Sequence, residues 1–140
     1  MKATSIKDIK REWHMVDVSD QAIGRISTNI ANLLMGKSKP YFVRNLDCGD
    51  FVVVINAKKV KATGNKETKK IYYRHSGYPG GFKQETLGEL RARKPEDIIV
   101  HSVTGMLPQN RLRDQMLKRL KVFSGSDHAY SEKFSKKEAN

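Results

Sequence analysis

Cysteine and long apolar runs are both scarce in this sequence. Cys48 is the one cysteine among 140 residues, which excludes an internal disulfide and a zinc site built from several cysteines. No apolar run approaches the roughly eighteen residues that a membrane-spanning helix needs. A signal-peptide pattern and an amphipathic helix of the lipid-binding kind are also lacking. We therefore expect a soluble protein of a reducing compartment, with no membrane partner.

Acidic residues are scarce as well. The chain has 27 Lys and Arg against 15 Asp and Glu, so its net charge is +12 and its pI is near 9.9. The excess is uneven, because residues 51–100 hold 11 basic and 5 acidic side chains, whereas residues 1–50 hold 8 and 6. An excess this large in a chain of single-domain size indicates a polyanionic partner such as nucleic acid.

An evident catalytic or metal-binding constellation is missing too. The four histidines are His14, His75, His101 and His128, and none has a metal-ligand spacing or a triad pattern with Ser and Asp. Asp47 and Asp50 flank Cys48, which allows a metal site or a nucleophile. A catalytic thiolate needs a base, and no histidine is near Cys48 in the sequence. We interpret Cys48 as a small buried hydrophobic residue and predict no metal, no cofactor and no catalytic residue.

What the sequence does contain is one dense stretch of rings, cations and glycines, from Tyr72 to Lys83. It holds three tyrosines, a histidine, three glycines and a proline, and it has no acidic residue. Glycines allow positive φ and close backbone approach, and Pro79 stiffens the turn. Exposed N–H groups, cations and flat rings suit a phosphate backbone with unstacked bases. The stretch alone fits either a nucleic-acid contact or an ordinary hairpin tip, since Gly-Gly turns are common.

Periodicity in the first half of the chain predicts a βαβ unit. Residues 13–18 are typical of a strand, and residues 21–35 carry apolar side chains at helical spacing. Ser19-Asp20 supplies good N-cap types, and Gly36 suits the C-terminal cap. Residues 51–56 are continuously apolar, which is typical of a strand covered on both faces. The two strands should therefore be parallel, with a right-handed crossover between them.

Gly24, in the first turn of the predicted helix, allows two interpretations. It would let the helix approach either a strand or an RNA backbone closely, and helix–sheet packing is the preferred one. A βαβ unit, a Gly-rich loop and His75 together suggest a second hypothesis, a nucleotide-dependent enzyme. The dinucleotide fingerprint should follow the first strand, and only Gly24 is available there.

The second half of the chain predicts shorter elements. They are a short helix at 57–62, a strand at 70–74, a helix at 85–93, a helix that begins near Pro95, a helix at 109–120 and a strand at 121–123. Leu87 and Leu90 should face the core from the first of the three later helices. The next should bury Ile98, Ile99, Val103, Met106 and Leu107.

Several motifs together are similar to one known family. They run in order over residues 13–125: Trp13 with Val16-Asp17, Gly24-Arg25, Asp47-Cys48-Gly49-Asp50-Phe51, Val54-Ile55-Asn56-Ala57, Thr63-Gly64-Asn65-Lys66, the stretch 72–81, Gly105-Met106-Leu107-Pro108 and Leu120-Lys121-Val122-Phe123. The chain resembles the universal family of large-subunit ribosomal protein thirteen.

The resemblance implies an α/β fold of three α/β/α layers around a mostly parallel four-stranded sheet. We expect one domain at 13–125, an N-terminal surface arm at 1–12 and a C-terminal tail at 126–140. The implied function is that of a structural constituent of the large ribosomal subunit, not an enzyme, which binds large-subunit ribosomal RNA and joins assembly early. The implied location is the ribosome in the cytoplasm, with neighbouring large-subunit proteins as further partners.

Cations, rings and glycines of the basic segments are the predicted RNA contacts, because phosphate neutralisation and stacking need these groups. They are Lys37, Lys39, Lys58, Lys59, Lys66, Arg74, His75, Tyr78, Gly80, Lys83, Arg111, Arg113, Lys118 and Arg119. Two alternatives remain beside this function. One is a nucleotide-dependent enzyme that uses the Gly-rich loop as a phosphate cradle, and the other is a free RNA-binding repressor with messenger RNA as its partner.

Overall fold

The βαβ unit forms the start of the fold. In the computed structural model, strand β1 (Trp13–Asp17) leads through helix α1 (Ile23–Met35) to strand β2 (Phe51–Ile55). The two strands pair in parallel, with Trp13 opposite Phe51. The parallel pairing predicted from the apolar pattern is therefore confirmed.

The structure describes residues 3–138, so residues 1–2 of the predicted arm and 139–140 of the predicted tail lie outside it. The other elements are α2 (Lys66–Lys69), β3 (Ile71–His75), β4 (Phe82–Thr86), α3 (Leu87–Arg93), α4 (Glu96–Met106), α5 (Leu112–Lys118), β5 (Leu120–Val122) and α6 (Ser131–Glu138). Single 3-10 turns lie at Ile6–Asp8 and Ala57–Lys59.

The strands form two sheets rather than the expected single sheet of four strands. Within residues 3–138, β1, β2 and β5 make a parallel three-stranded sheet in the order β1-β2-β5. Strands β3 and β4 pair only with each other, as an antiparallel hairpin. The expected four-stranded sheet is wrong because β3 and β4 are rich in exposed and charged side chains. A central parallel strand needs apolar side chains on both faces.

Both faces of the parallel sheet are covered. Val52 and Val54 are fully buried on one face, in a core shared with Ile30 of α1 and Ile98 of α4. Side chains of a strand alternate between faces, so Trp13 and its neighbour Phe51 lie on the other one. Their rings stack 4.4 Å apart.

The segment after the last strand covers the Trp13 side of the sheet. The Tyr130 ring stacks on Trp13 with centroids 5.2 Å apart, and Phe134 of α6 meets the same indole edge-on at 6.5 Å. The Lys133 ammonium lies 5.7 Å from the indole centroid, within cation–π range. Tyr130, Lys133 and Phe134 therefore contact the first strand through the indole of Trp13.

Helix α1 begins later than the sequence predicts. Its N-cap is Ala22, which offers no side-chain oxygen, whereas Ser19 and Asp20 were the expected caps. The Ile23 N–H donates instead to the Lys61 carbonyl at 3.1 Å, so a neighbouring loop satisfies the first turn. At the other end Gly36 adopts φ +76° and its N–H donates to Asn32, which confirms its predicted capping role.

Gly24 does not serve helix–sheet packing. It is exposed, and a Cβ placed there would meet no heavy atom within 4 Å. The preferred interpretation of this glycine was wrong, because the buried face of α1 is formed instead by residues such as Ile26 and Ile30.

The later elements are shifted by a few residues from their predicted bounds. β4 continues to Thr86, and α3 starts at Leu87 rather than 85 because Thr86 and Glu89 form a capping box. The predicted helix at 57–62 is only a 3-10 turn. The helix predicted at 109–120 covers Leu112–Lys118, since Leu120 already belongs to β5.

Core predictions for these helices are largely confirmed. Leu87 and Leu90 are buried on α3. Ile98, Ile99, Val103 and Leu107 are buried on or just after α4. Met106 is 41% exposed, so its predicted core position was wrong. It lies beside Thr28 of α1, whose hydroxyl is 3.5 Å from the Met106 sulfur.

Candidate nucleic-acid interface

The stretch that dominates the sequence is a protruding hairpin. β3 and β4 pair from Ile71 opposite Thr86 to His75 opposite Phe82, and residues 76–81 form the tip. Gly77 and Gly80 adopt φ of +86° and +73°, which favours glycine. A Cβ on Gly81 would lie 2.0 Å from the Ser76 hydroxyl oxygen, so the tip has no room for one. The glycines thus set the shape of the tip.

One face of the hairpin carries two adjacent cations. Arg74 lies directly opposite Lys83, and both are exposed. Like charges directly opposite each other in an antiparallel pair repel and cost stability. Neither cation forms an ion pair with an acid within residues 3–138. Glu85 on the same face attracts Arg74 but pairs directly with Arg93, so neither Arg74 nor Lys83 has an ion-pair partner of its own.

The opposite face of the hairpin carries an exposed pair of rings. Tyr73 and Phe82 stack with centroids 5.8 Å apart and an angle of 23° between the planes. Their exposed fractions are 64% and 56%. Sequence reasoning missed both as candidate contacts. The signal was available, because pairing the strands across the 76–81 tip puts Tyr73 and Phe82 on one face as diagonal neighbours.

The tip presents Tyr78 and His75 to solvent. Tyr78 is 75% exposed. The Nδ1 of His75 accepts a hydrogen bond from the Gly77 N–H at 2.8 Å. Within residues 3–138 no carboxylate pairs with His75, so it lacks there the acidic partner that orients a catalytic histidine in a triad.

A cleft separates the hairpin from α4, and we call it the hairpin cleft. Its volume is about 450 Å³. Tyr72 and Arg74 form one wall, and His101 and Gly105 of α4 lie on the other, with Arg113 of α5 alongside. The Tyr72 ring meets His101 edge-on, with centroids 4.9 Å apart. The cleft brings together two predicted contacts, Arg74 and Arg113, that are distant in sequence.

Burial affects two polar groups of the hairpin cleft. Desolvation raises the pKa of the Tyr72 hydroxyl above its ordinary value of 10.0, so this hydroxyl stays neutral at physiological pH. The Nε of Arg113 is buried and has no hydrogen-bond partner within residues 3–138. Buried donors without a partner are rare, because leaving one unsatisfied costs about 1–3 kcal/mol.

The predicted lysines before β3 lie on loops near the end of β2. Lys58 and Lys59 are exposed on the 3-10 turn, and Lys66 is exposed at the start of α2. Arg91 of α3 holds these loops in place by donating to the Lys58 carbonyl at 2.9 Å and to the Glu67 carboxylate at 2.5 Å. The three lysines are thus presented on an anchored backbone.

A third group of cations lies beyond the ends of α1 and α4. Lys37 is exposed and lines a groove with Arg44 and Asn110. Arg111 and Lys118 are exposed at the two ends of α5. Arg44, which was not in the predicted set of contacts, lies in the same basic groove as Lys37.

Two predicted contacts, Lys39 and Arg119, point inward instead. They belong to what we call the inner ion-pair network, formed by Arg11, His14, Lys39, Asp47, Asp50 and Arg119. The buried Arg119 guanidinium binds both oxygens of the Asp47 carboxylate and donates to the Leu34 carbonyl at 3.0 Å. The Lys39 ammonium lies 2.5 Å from the Asp50 carboxylate and 2.8 Å from the Cys48 carbonyl.

The inner ion-pair network explains the carboxylates that flank Cys48. Cys48 is fully buried, in agreement with its interpretation as a small hydrophobic residue. Burial alone would raise the pKa of Asp50, but hydrogen bonds from Lys39, the Glu12 N–H and His14 outweigh it and leave the pKa below 3.8. Residues 3–138 contain no group of three or more His, Cys, Asp or Glu that could hold a metal ion. These carboxylates bind cations of the protein itself.

No helix in the described part of the chain has the length and apolar character needed to cross a bilayer.

Comparison with known proteins gives a consistent result. The family model described as Ribosomal protein L13 matches residues 11–129. A protein of Dehalococcoides mccartyi named large ribosomal subunit protein uL13 is 56% identical over 124 residues, covering 89% of this chain and 87% of the relative. Proteins of the same name from Geobacter sulfurreducens and Prochlorococcus marinus are 48% and 49% identical, covering 93% and 91% of this chain and 93% and 85% of the relatives.

Proposed function

The chain belongs to the ribosomal protein L13 family, and from that premise we propose that it is a structural constituent of the large ribosomal subunit. In this role it binds large-subunit ribosomal RNA and takes part in early subunit assembly, within ribosomes of the cytoplasm. Neighbouring large-subunit proteins are its further partners. It is a structural protein and not an enzyme.

The observation that carries the proposal is the extent of the family match. It runs from residue 11 to residue 129 and therefore includes the hairpin, the basic loops and α5. Relatives that are about half identical over nearly their whole length are named as large-subunit proteins.

The charge arrangement supports an RNA partner. Arg74 and Lys83 repel each other across the hairpin and form no direct ion pair with an acid of residues 3–138, a cost that a phosphate group near them would remove. Lysines on the loops beside β2 and on α5 extend the positive surface, and phosphate neutralisation by such side chains releases bound counterions. Tyr78 at the exposed tip supplies a flat ring on which an unpaired base can stack.

The exposed or half-buried members of the predicted set are the proposed contacts. They are Lys37, Lys58, Lys59, Lys66, Arg74, His75, Tyr78, Gly80, Lys83, Arg111, Arg113 and Lys118. Lys39 and Arg119 are assigned to the protein framework, because the inner ion-pair network already engages their charges. Tyr73 and Phe82 are added as a stacking surface.

Salt dependence of binding tests the RNA function. The affinity of the full chain for large-subunit RNA fragments, measured by filter binding, should fall steeply and linearly on logarithmic axes as salt rises. The decrease reflects counterions that bind the RNA again when the lysines and arginines leave. Affinity that ignores salt would contradict the proposal.

Co-sedimentation separates a ribosomal component from a free repressor. On sucrose gradients of cell extracts, a structural constituent should travel with the large subunit. A chain that stays at the top of the gradient, bound to messenger RNA, would instead support the repressor function.

A further inference from the structure

The hairpin cleft combines apolar and aromatic walls with a cationic rim, and packing of the hairpin against α4 does not require this combination. On α4 the residues that line it lie at positions 97, 100, 101, 104 and 105, which form one stripe of a helix. Val100 and the buried Leu90 give it an apolar floor, and Tyr72 and His101 add two rings. The interior thus offers apolar and aromatic surface to a flat ligand.

The rim of the cleft is cationic. Its two acids are already neutralised, since Glu85 pairs with Arg93 at 2.8 Å and Asp97 pairs with Lys94 at 3.2 Å. The side chains of Arg74 and Arg113 have no ion pair or hydrogen bond within residues 3–138. Two guanidinium groups therefore remain for an anion, and guanidinium geometry matches phosphate oxygens.

Arg113 supplies a second, independent indication of a missing partner. Its Nε is buried and unsatisfied, while the residue itself lines the cleft. An acceptor oxygen in the cleft would remove that cost if the Arg113 side chain rotates to turn its Nε toward the cleft. The neutral Tyr72 hydroxyl can donate or accept a further hydrogen bond at the edge of the same space.

We propose that the hairpin cleft holds one unpaired nucleotide of the bound RNA, with its base against Tyr72 and His101 and its phosphate on Arg74 and Arg113. The inference rests on the proposed RNA binding and adds a defined site to it. The nucleotide comes from a single-stranded or bulged position, because a base inside an A-form helix is stacked and cannot enter a protein cleft. An acidic peptide would satisfy the arginines but would leave the aromatic and apolar walls uncovered.

Mononucleotides are the first probes. The four nucleoside 5′-monophosphates, titrated into the full chain and followed by amide chemical shifts, should give at least one saturable response at Val100, His101 and Gly105. Ribose 5-phosphate, which has no base, should give none. Equal shifts from ribose 5-phosphate, or none from any of the four monophosphates, would overturn the proposal. Shifts from a glutamate peptide alone would assign the cleft to a protein partner instead.

A matched pair of glycine variants provides the second test. Gly105 of α4 lines the cleft, whereas Gly24 of α1 does not, and a Cβ on either glycine meets no heavy atom within 4 Å. Gly105→Leu should fill the cleft, abolish the mononucleotide shifts and weaken binding to an RNA fragment about tenfold, the scale of one lost stacking contact. Gly24→Leu should keep the mononucleotide shifts, because Gly24 does not line the cleft. Melting temperatures of the two variants verify that each is folded.

The glycine pair also keeps the two proposals distinguishable. If the wild-type chain binds the RNA fragment in a salt-dependent way and Gly105→Leu binds it as tightly as the wild-type chain does, the cleft site is wrong and the ribosomal function stands. If the wild-type chain shows no salt-dependent binding, the proposed function itself fails.

Discussion

Lysine and arginine have opposite roles in the inner ion-pair network and in the hairpin. In the network, Arg119 and Asp47 are both buried and bind each other through both carboxylate oxygens. In the hairpin, Arg74 and Lys83 face each other in solvent without an acid between them. The first arrangement fixes the fold, and the second leaves charge available to a partner. Residue type alone therefore does not distinguish a structural cation from a binding one, whereas the position of the nearest carboxylate does.

The largest expected effect comes from breaking the buried half of this comparison. Asp47→Ala should lower the free energy of unfolding by about 3–5 kcal/mol, because it leaves the Arg119 guanidinium buried without a counter-charge. Urea denaturation measures the loss. Glu85→Ala removes a less buried ion pair with a single 2.8 Å contact to the half-exposed Arg93, and should change stability much less. An equal loss of unfolding free energy in the two variants would show that burial does not determine how much an ion pair of this protein stabilises the fold.

Substitutions in the hairpin should weaken RNA binding and leave the free energy of unfolding nearly unchanged, the opposite of Asp47→Ala. Arg74→Ala and Tyr78→Ala should each weaken RNA binding by about 1–3 kcal/mol if each stacks on a base, and the double variant should enter large subunits poorly. Stability should hardly change, because both side chains are exposed. Quantifying the protein in purified large subunits checks incorporation, with Arg74→Lys as a control that keeps the charge. Normal incorporation of the double variant would refute the role of the hairpin.

Lowering the pH should give the smallest change in stability, and it compares a carboxylate of the inner ion-pair network with one of the hairpin. The pKa of Asp50 is below 3.8 in the folded protein, so its stabilising contribution is present above about pH 4 and is lost as pH falls through the lowered pKa. The stability gap between wild type and Asp50→Asn should therefore narrow below pH 4 in urea denaturation. Glu85, which is less buried than Asp50, also has a lowered pKa, through its hydrogen bond from Arg93. Glu85→Gln should show a gap that added salt removes, whereas the Asp50 gap should persist.

Local pattern predicted the elements whose residues bury an apolar face. The helix that includes Ile26 and Ile30 and the strand that includes Val52 and Val54 were predicted because their spacing follows the geometry of one face. Strand β4 was missed because its exposed residues show no apolar alternation and end in a capping box that resembles a helix start.

The residue types of the candidate site could be predicted from the sequence. Whether each side chain faces solvent or the protein interior could not. Arg74, Lys83 and Tyr78 could be chosen because they occur in a segment without acids, and the structure leaves all three exposed. Lys39 and Arg119 looked equivalent in sequence. Their acidic partners are set by tertiary structure, and Asp47 is 72 residues from Arg119 along the chain. Local sequence patterns cannot identify a contact between residues so far apart in the chain, because the fold alone brings them together.

The 72-residue separation of Asp47 and Arg119 also sets the order in which native contacts can form while the chain is being synthesised. Asp47 is made early, but its guanidinium partner and the third strand of the sheet, which begins at Leu120, come near the end of the chain. The indole of Trp13 likewise waits for Tyr130. A nascent chain that stops before Arg119 therefore holds a carboxylate without its buried partner and a two-stranded sheet with an open edge. The fold can be completed only after residues 119–130 have been synthesised, and contacts so distant in sequence are slow to form.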